Sequence, residues 1–314
     1  MIATLAAATF AVFALTARTD TTFSIGPEAR LEIENFAGDV TVGTWGKNAV
    51  RIEADHSSRA SVDIERDGST VTVKAEGRHG VPTSVDFRIT VPASAALKIS
   101  GVYTDVTITG VKADLAVETV RGDVNVTGGA GHIVLQSVEG DVNLEGGHGR
   151  AELSSVNSGV TVRDHDGELA LETVNGEITL EDIRCETVEA STVNGDVLFD
   201  GEVKSGGRYS FATHNGNITV GLPGEPNVSV SVATYSGDFE SDFPVKRASA
   251  RHNKRFRFTL GSGSAELELE SFQGSIRLVR GDASGMGKAK EKVVERKKET
   301  EKMKHEAHEK TREP

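Results

Sequence analysis

Short segments in which apolar and polar residues alternate recur along most of the chain. Leu115, Val117 and Thr119 fall on one face of such a segment, and Val124 and Val126 fall on one face of the next. An alternation with a period of two is typical of a strand that buries one face. A glycine lies between the two segments, so this stretch predicts two short strands joined by a tight bend.

The same two-strand pattern repeats at a nearly fixed interval. Its unit is [Ser/Thr]-Val-x-Gly-[Asp/Glu]-[Val/Ile]-x-[Val/Leu], and the glycine positions are separated by 18 residues four times and then by 19, 21, 21 and 37. These positions hold Thr104, Gly122, Gly140, Ser158, Gly176, Gly195, Gly216, Gly237 and Gly274. One unit cannot bury its apolar face alone, whereas stacked units can. We therefore predict an all-β fold, a single-stack β-solenoid with rungs of roughly 18–21 residues, and about ten rungs in a rod about 50 Å long.

Stacking brings equivalent residues of successive rungs into columns. The residue before the glycine is asparagine in four consecutive units, which predicts a ladder of amide hydrogen bonds formed by Asn157, Asn175, Asn194 and Asn215. The residue after the glycine is often acidic, as in Asp123, Asp141, Glu177 and Asp196. We expect these carboxylates to face solvent or to accept bonds from turn amides. A ligand-binding role for the amides and cation binding by the acids are the alternatives.

The predicted solenoid domain spans residues 28–280, and its two ends depart from the regular pattern. Residues 50–92 read as alternating strands separated by polar turns, which predicts a hairpin region that extends or caps the N-terminal end of the solenoid. Residues 100–280 hold the regular rungs and a C-terminal cap. The cap is predicted from the aromatic residues Phe239, Phe243, Phe256, Phe258 and Phe272.

Both termini differ in composition from the repeats. Residues 1–17 are apolar and uncharged, which predicts a signal peptide or, as the alternative, a retained N-terminal anchor. The protein is then expected to be exported to the periplasm, the outer envelope or the cell surface. Residues 282–314 form a tail rich in Lys, Arg and Glu, expected to be helical or disordered. Membrane contact is expected only through these two segments.

Composition excludes several functional classes. The net charge is -12, which argues against binding to the nucleic-acid backbone. Cys185 is the one cysteine, so the chain can form neither an internal disulfide nor a cysteine-based zinc cluster. Glycine is abundant (34 residues) and aromatic residues make up only 5%, as expected for many turns around a thin interior.

The strongest candidate for chemistry is the run Asp164, His165 and Asp166, with His132 and His148 in the turns of preceding rungs. Carboxylate and imidazole groups could hold a metal ion or exchange protons. Their positions relative to the bend glycines differ, however, so we expect exposed turn residues rather than a converging site. The sequence predicts no catalytic residues and no cofactor.

The order of these features resembles a known bacterial family. It consists of the segment RLEIENFAGDVTV from Arg30 to Val42, a hairpin region ending in RITVPASAALKI, and repeated rungs ending in GSIRL. This order resembles the family called putative adhesins, toast-rack-like β-solenoids of the cell envelope, over residues 28–280. The resemblance implies the fold and an envelope role, and it brings no catalytic residues with it.

We therefore predict a non-enzymatic, exported β-solenoid that serves as a structural, adhesion or binding module of the cell envelope. Its partner is expected to be an envelope protein or a polysaccharide. The alternatives are a carbohydrate-active enzyme of the parallel β-helix type and a periplasmic regulator that binds an envelope signalling protein. Three or more converging carboxylates in a groove with exposed aromatic residues would favour the enzyme.

Overall fold

The structure is a computed structural model that describes residues 16–26, 28–77, 81, 83–245 and 254–281. In the described part the secondary structure consists of strands and turns. The strands are β1 (Thr16–Ser24), β2 (Arg30–Ala37), β3 (Val40–Trp45), β4 (Ala49–Ser57), β5 (Ala60–Asp67), β6 (Thr70–Gly77), β7 (Val85–Pro92), β8 (Ala96–Tyr103), β9 (Val106–Thr109), β10 (Leu115–Arg121), β11 (Val124–Thr127), β12 (Ala130–Glu139), β13 (Val142–Ser155), β14 (Val160–Thr173), β15 (Ile178–Ile183), β16 (Thr187–Asn194), β17 (Val197–Gly201), β18 (Arg208–Asn215), β19 (Ile218–Leu222), β20 (Val228–Thr234), β21 (Phe239–Ser241), β22 (Lys254–Leu260), β23 (Ala265–Ser271) and β24 (Ile276–Arg280).

The strands form two ladders that run the length of the molecule. The first ladder has the order β5, β6, β2, β8, β10, β12, β13, β14, β16, β18, β23, β20 and β22. The second has the order β1, β4, β7, β3, β9, β11, β13, β14, β15, β17, β19, β24 and β21. The long strands β13 and β14 turn the corner between the ladders and contribute to both.

Each rung gives one parallel strand to each ladder, so the predicted β-solenoid is confirmed. Among the residues that the structure describes, ten rungs have strands in both ladders, from β2–β3 to β20–β21. Alternate residues point inwards from both ladders, as for Leu115 and Val117 opposite Val124 and Val126, and a single hydrophobic core fills the space between them. The narrow interior accepts mainly Val, Leu, Ile and Ala, which accounts for the low aromatic content.

At the N-terminal end, strands from before and after the first rung in the chain cover that rung. β6 and β7 pair with the outer sides of β2 and β3, and antiparallel β5, β4 and β1 lie beyond them. The region predicted as hairpins, residues 50–92, therefore lies outside the first rung and ends the stack with antiparallel pairing.

The order of rungs at the C-terminal end differs from the order in the sequence. The rung of Gly274 (β23–β24) lies between the rung of Gly216 (β18–β19) and the rung of Gly237 (β20–β21). The rungs therefore do not stack in chain order at this end. A chain that folds back after β21 can add β22 antiparallel to β20 and then insert β23 on the other side of β20, so both sides of β20 are paired.

The predicted aromatic cap is only partly correct. Phe239, Phe256 and Phe258 pack together beside β22, with ring centroids 5.1 to 6.1 Å apart, and Phe243 is buried. Phe272 does not belong to this cluster. It is exposed on the first ladder, because it occupies an outward-facing position of its rung.

Two predicted segments fall wholly or mainly outside the described residues. They are the tail 282–314 and the apolar leader 1–17, of which only residues 16 and 17 are described, at the start of β1. Within the described part of the chain, no helix has the length and apolar character needed to cross a membrane.

Candidate binding surface

The bend glycines form a column in which backbone passes against backbone. A Cβ atom added to Gly195 would lie 1.9 Å from the carbonyl oxygen of Gly176, and one added to Gly216 would lie 1.9 Å from that of Gly195. No side chain fits at such a distance. Close approach of successive rungs therefore requires glycine here, and it fixes the position of the flanking residues on the rod.

A column of buried hydroxyl groups lies beside these glycines. Seven of the Ser and Thr residues that open the repeat unit donate to the carbonyl oxygen of the bend residue in the preceding rung, as Ser155 does to Gly140 at 3.0 Å and Thr213 to Gly195 at 2.9 Å. The other donors are Thr119, Ser137, Thr173, Thr192 and Ser271. The signal for this column was the Ser/Thr letter of the repeat, to which sequence reasoning assigned no role.

The asparagines form a ladder on the surface. Asn175 donates to Asn157 at 3.0 Å, Asn194 to Asn175 at 2.8 Å, and Asn215 to Asn194 at 2.7 Å. These side-chain amides therefore serve as hydrogen-bond donors and acceptors for one another along the rod.

Three of the four predicted acids that follow the glycines accept bonds from backbone amides of the next rung. The carboxylate of Asp123 accepts from the N–H of Asp141 at 2.8 Å, and that of Asp141 accepts from Gly159 at 3.0 Å. Asp196 accepts in the same way from Asn217 at 2.7 Å. These acids therefore help to hold neighbouring rungs together.

Between the hydroxyl column and the asparagine ladder lies a continuous stripe of outward-facing, mostly apolar side chains. We call it the edge stripe. In stack order it consists of Phe36, Val102, Val120, Val138, Val156, Val174, Val193, His214, Phe272 and Tyr235. In the part of the chain that the structure describes, ten large apolar side chains are exposed, and eight of them belong to this stripe. A ninth, Tyr103, adjoins it.

Aromatic rings occupy both ends of the edge stripe. Phe272 is stacked between His214 and Tyr235, with ring centroids 4.6 Å apart and planes inclined by 7° on both sides. At the other end Phe36 meets Tyr103 edge to face at 5.7 Å. Valines connect the two ends, so the stripe spans nine rung spacings, or about 43 Å.

The structure separates the three residues of the predicted chemical site. Asp164 and Asp166 are exposed and pair with Arg184 and Lys204. His165, by contrast, is fully buried, so the expectation that all three are exposed turn residues is wrong for the imidazole. The cause is Asp164, whose φ of 52° reverses the alternation at the corner and turns the next side chain inwards.

The buried imidazole is held by one hydrogen bond. His165 Nε2 lies 3.2 Å from the carbonyl oxygen of Gly149, while Nδ1 has no hydrogen-bond partner among the described residues. Burial lowers the pKa of His165, against the opposing effects of the Gly149 bond, Asp166 and Asp164. The other two predicted histidines, His132 and His148, are exposed. Among the described residues, no three His, Cys, Asp or Glu side chains are grouped so that they could hold a metal ion.

Cys185 lies inside the core beside this corner. Burial raises the pKa of its thiol to about 12. The hydroxyl of Tyr209 donates to the carbonyl oxygen of Cys185 at 2.7 Å, and burial also raises the pKa of Tyr209. Both side chains therefore stay protonated near neutral pH, which is typical of residues that pack in a core rather than react.

Three carboxylates, those of Glu152, Glu172 and Glu189, line a shallow depression of about 280 Å³ on the outer face of the first ladder. Among its described lining residues there is no aromatic side chain. The hydrogen bond from Arg150, at 2.8 Å, lowers the pKa of Glu152, whereas a glycosidase acid requires a raised pKa. The geometry gives no support to the carbohydrate-cleaving alternative at this site.

Comparison with known proteins agrees with the architecture. The family model described as Toastrack DUF4097 matches residues 29–279. No curated protein sequence matches the chain.

Several solved structures are similar to the chain at low identity. A putative adhesin from Bacteroides fragilis is 14% identical, with 83% of this chain and 97% of that chain covered and a TM-score of 0.43. A putative adhesin from Parabacteroides distasonis is 10% identical, with 85% and 98% covered and a TM-score of 0.39. A putative lipid binding protein from the same organism is 10% identical, with 84% and 97% covered and a TM-score of 0.36.

Proposed function

This chain belongs to the Toastrack DUF4097 family, and we propose that it is an exported, non-enzymatic binding module of the cell envelope. Its contact surface is the edge stripe. The uncharged apolar segment at residues 1–17 supports export. The repeated rungs serve as a scaffold that presents one long surface to a partner.

The observation that carries this proposal is the continuity of the edge stripe. Scattered apolar side chains are normal on a protein surface, but a contiguous exposed patch usually marks an interaction site. Val120, Val138, Val156, Val174 and Val193 are each between 37% and 46% exposed, and every one lies at the same position of its rung. Threonine shares the strand preference of valine and is polar, so an unbroken column of valine beside a polar ladder favours a contact role over a purely structural one.

The chemistry of the stripe favours a protein partner over a polysaccharide. Proteins bind sugars through the exposed faces of aromatic side chains and through convergent polar groups, whereas most of this stripe is aliphatic. Both faces of the Phe272 ring are covered, by His214 and by Tyr235. An apolar surface on another protein can bury the valines and release the water around them.

The test removes apolar surface without adding charge. In one variant, Val138→Ser, Val156→Ser and Val174→Ser are combined. The matched control combines Thr107→Ser, Thr109→Ser and Thr127→Ser, which removes methyl groups from exposed positions of the second ladder. Binding of each purified chain to envelope protein and to a panel of envelope polysaccharides is measured, and cells are fractionated to locate the native chain.

We expect the valine variant to lose at least tenfold in binding to envelope protein and the control to bind as the wild type does. Equal binding by both variants would contradict the role of the stripe. Binding to polysaccharide that survives in the valine variant would assign another surface and another partner. A cytosolic chain that retains residues 1–17 would contradict export.

A further inference from the structure

We propose that the partner of the edge stripe is a positively charged amphipathic helix of an envelope protein. This inference rests on the proposed function, because it gives the chemistry of the partner that the same surface binds. It follows from the charges that border the valines of the stripe and from their arrangement on both sides of it.

The positions beside the central valines carry a strong excess of acidic residues. Six consecutive rungs, from Val102 to Val193, place a valine in the edge stripe. In each rung three positions adjoin the stripe: the residue two before the valine, the residue directly after it and the residue three after it. We call these positions the acidic border.

The acidic border holds eight acids and one base. Two acids precede the valines, Glu118 and Glu172. Six follow them: Asp105, Asp123, Glu139, Asp141, Glu177 and Asp196. The base is Arg121, which pairs with Glu139. The border therefore has a net charge of -7 over six rungs.

The hydrogen bonds of the border do not neutralise it. Asp105, Asp123 and Asp141 accept bonds from uncharged backbone N–H groups of the next rung, at 2.8 to 3.0 Å. Glu118 and Glu172 are exposed, and among the described residues neither has an ion-pair partner. Negative charge therefore lies along both sides of the apolar valines.

This charge selects among the partners that an exposed apolar surface can bind. An anionic lipid surface or a nucleic acid is repelled by the border, whereas a protein that carries Lys or Arg beside its apolar side chains is attracted. The whole chain, with a net charge of -12, adds a longer-range attraction that speeds the encounter with such a protein. The partner is therefore expected to combine an apolar centre with cationic margins.

The position of the border on both sides of the stripe favours a helix as the element that binds. Residues two before the valine lie about 7 Å from it along the strand, and those three after it lie within about 10 Å. A strand laid along the rod directs its side chains to two opposite faces, so its charges would point away from the border. An amphipathic helix instead has polar side chains at both margins of its apolar face, and the long stems of Lys and Arg reach sideways from there. The six valines span about 24 Å, the length of a helix of about 16 residues.

Three synthetic peptides of about 18 residues test the charge of the partner. All three have leucine at the same helical spacing, and their remaining residues are Lys, Glu or Gln. Fluorescence anisotropy measures the binding of each labelled peptide to the purified full chain at about 50 mM and about 500 mM NaCl. We expect the Lys peptide to bind at least tenfold more tightly than the Gln peptide at low salt, the Glu peptide not to bind, and the preference for Lys to disappear at high salt.

Two matched variants locate the charge effect on the surface. The border variant combines Glu118→Gln, Glu172→Gln and Glu177→Gln. The control combines Glu145→Gln, Glu186→Gln and Glu202→Gln, three exposed acids at the opposite edge of the rod. Both variants change the net charge by the same amount, and circular dichroism verifies that both keep the wild-type fold.

We expect the border variant to bind the Lys peptide at least fivefold more weakly than the wild type at low salt, and the control to stay within about twofold. The Val→Ser variant keeps every charge and should lose at least tenfold for the same peptide. This combination of results requires that the valines and the border act together.

Equal binding of the Lys peptide by the border variant and its control would overturn the inference. So would binding of the Glu peptide as tight as that of the Lys peptide, or binding of the wild type to phosphatidylglycerol vesicles that the Val→Ser variant loses. These results leave the proposed function standing if the Val→Ser variant still loses envelope protein. Equal binding of envelope protein by the Val→Ser variant and its threonine control would instead remove the proposed function, and the inference with it.

Discussion

Replacing Ser155 with alanine removes one hydroxyl from the buried column without changing the shape of the core. Ser155 is 2% exposed, and its Oγ donates to the carbonyl oxygen of Gly140, which is also buried. Alanine leaves that oxygen without this donor in a place from which water is excluded. The expected loss is about 1–2 kcal/mol in the free energy of unfolding, the usual penalty for an unsatisfied buried polar group.

Urea denaturation followed by circular dichroism measures the loss. A stack of rungs can depart from two-state behaviour, so midpoints are compared only where the slopes of the transitions agree. Ser154→Ala is the matched control, because Ser154 precedes Ser155 in β13 and faces outwards. We expect the control to change stability by less than about 0.5 kcal/mol.

Ser155→Thr separates the hydroxyl from the small size of serine. Thr173 and Thr192 occupy the same position of later rungs and make the same bond, so threonine should keep most of the stability at position 155. The reasoning is refuted if Ser155→Ala costs no more than Ser154→Ala. It is also refuted if Ser155→Thr is as damaging as Ser155→Ala, because packing rather than the hydrogen bond would then be decisive.

Three further predictions concern the corner and the bends. Burial lowers the pKa of His165, so the neutral ring stabilises the fold above pH 6.5 and the stability falls as the pH drops below that value. In thermal melts, His165→Gln should reduce the decrease of the melting temperature at acid pH. Gly195→Ala should cost about 2–3 kcal/mol in urea melts because its Cβ meets backbone, whereas Gly43→Ala, which has open space, should be nearly neutral. Cys185 should resist a thiol reagent in the native protein and react in urea, because its thiol is buried and has a pKa of about 12; rapid native labelling would contradict its burial.

The features of the fold that depend on residues close in sequence or on equivalent residues of adjacent repeats could be predicted from the sequence. Alternation identified the inward positions of each strand, and the glycine spacing identified the rungs, because both follow from contacts between equivalent residues of adjacent repeats. The exchanged positions of the last two rungs could not be predicted. A separation of 37 residues between Gly237 and Gly274 accommodates two rungs in either order, and the choice depends on long-range pairing of β23 with β18 and β20.

The residues of the edge stripe recur in the sequence repeat, but a contact surface was not predicted from them. In the repeat unit the Ser or Thr faces inwards, so the residue that follows it must face outwards. An apolar residue at nearly every such position, with His214 as the exception, was the signal. The inward turn of His165 had no comparable signal. It depends on the left-handed backbone of Asp164, at a position where the preceding rung uses Gly146, whose φ is 64°.

The insertion of the Gly274 rung has a mechanical consequence. β24 is the last described strand, and it lies between β19 and β21, parallel to both. A force that pulls β24 along its own axis loads the backbone bonds on its two sides together in shear. To release the strand, the force must slide it past both neighbours at once. The C-terminal end of the rod is therefore suited to bear a pulling force without unravelling one rung at a time.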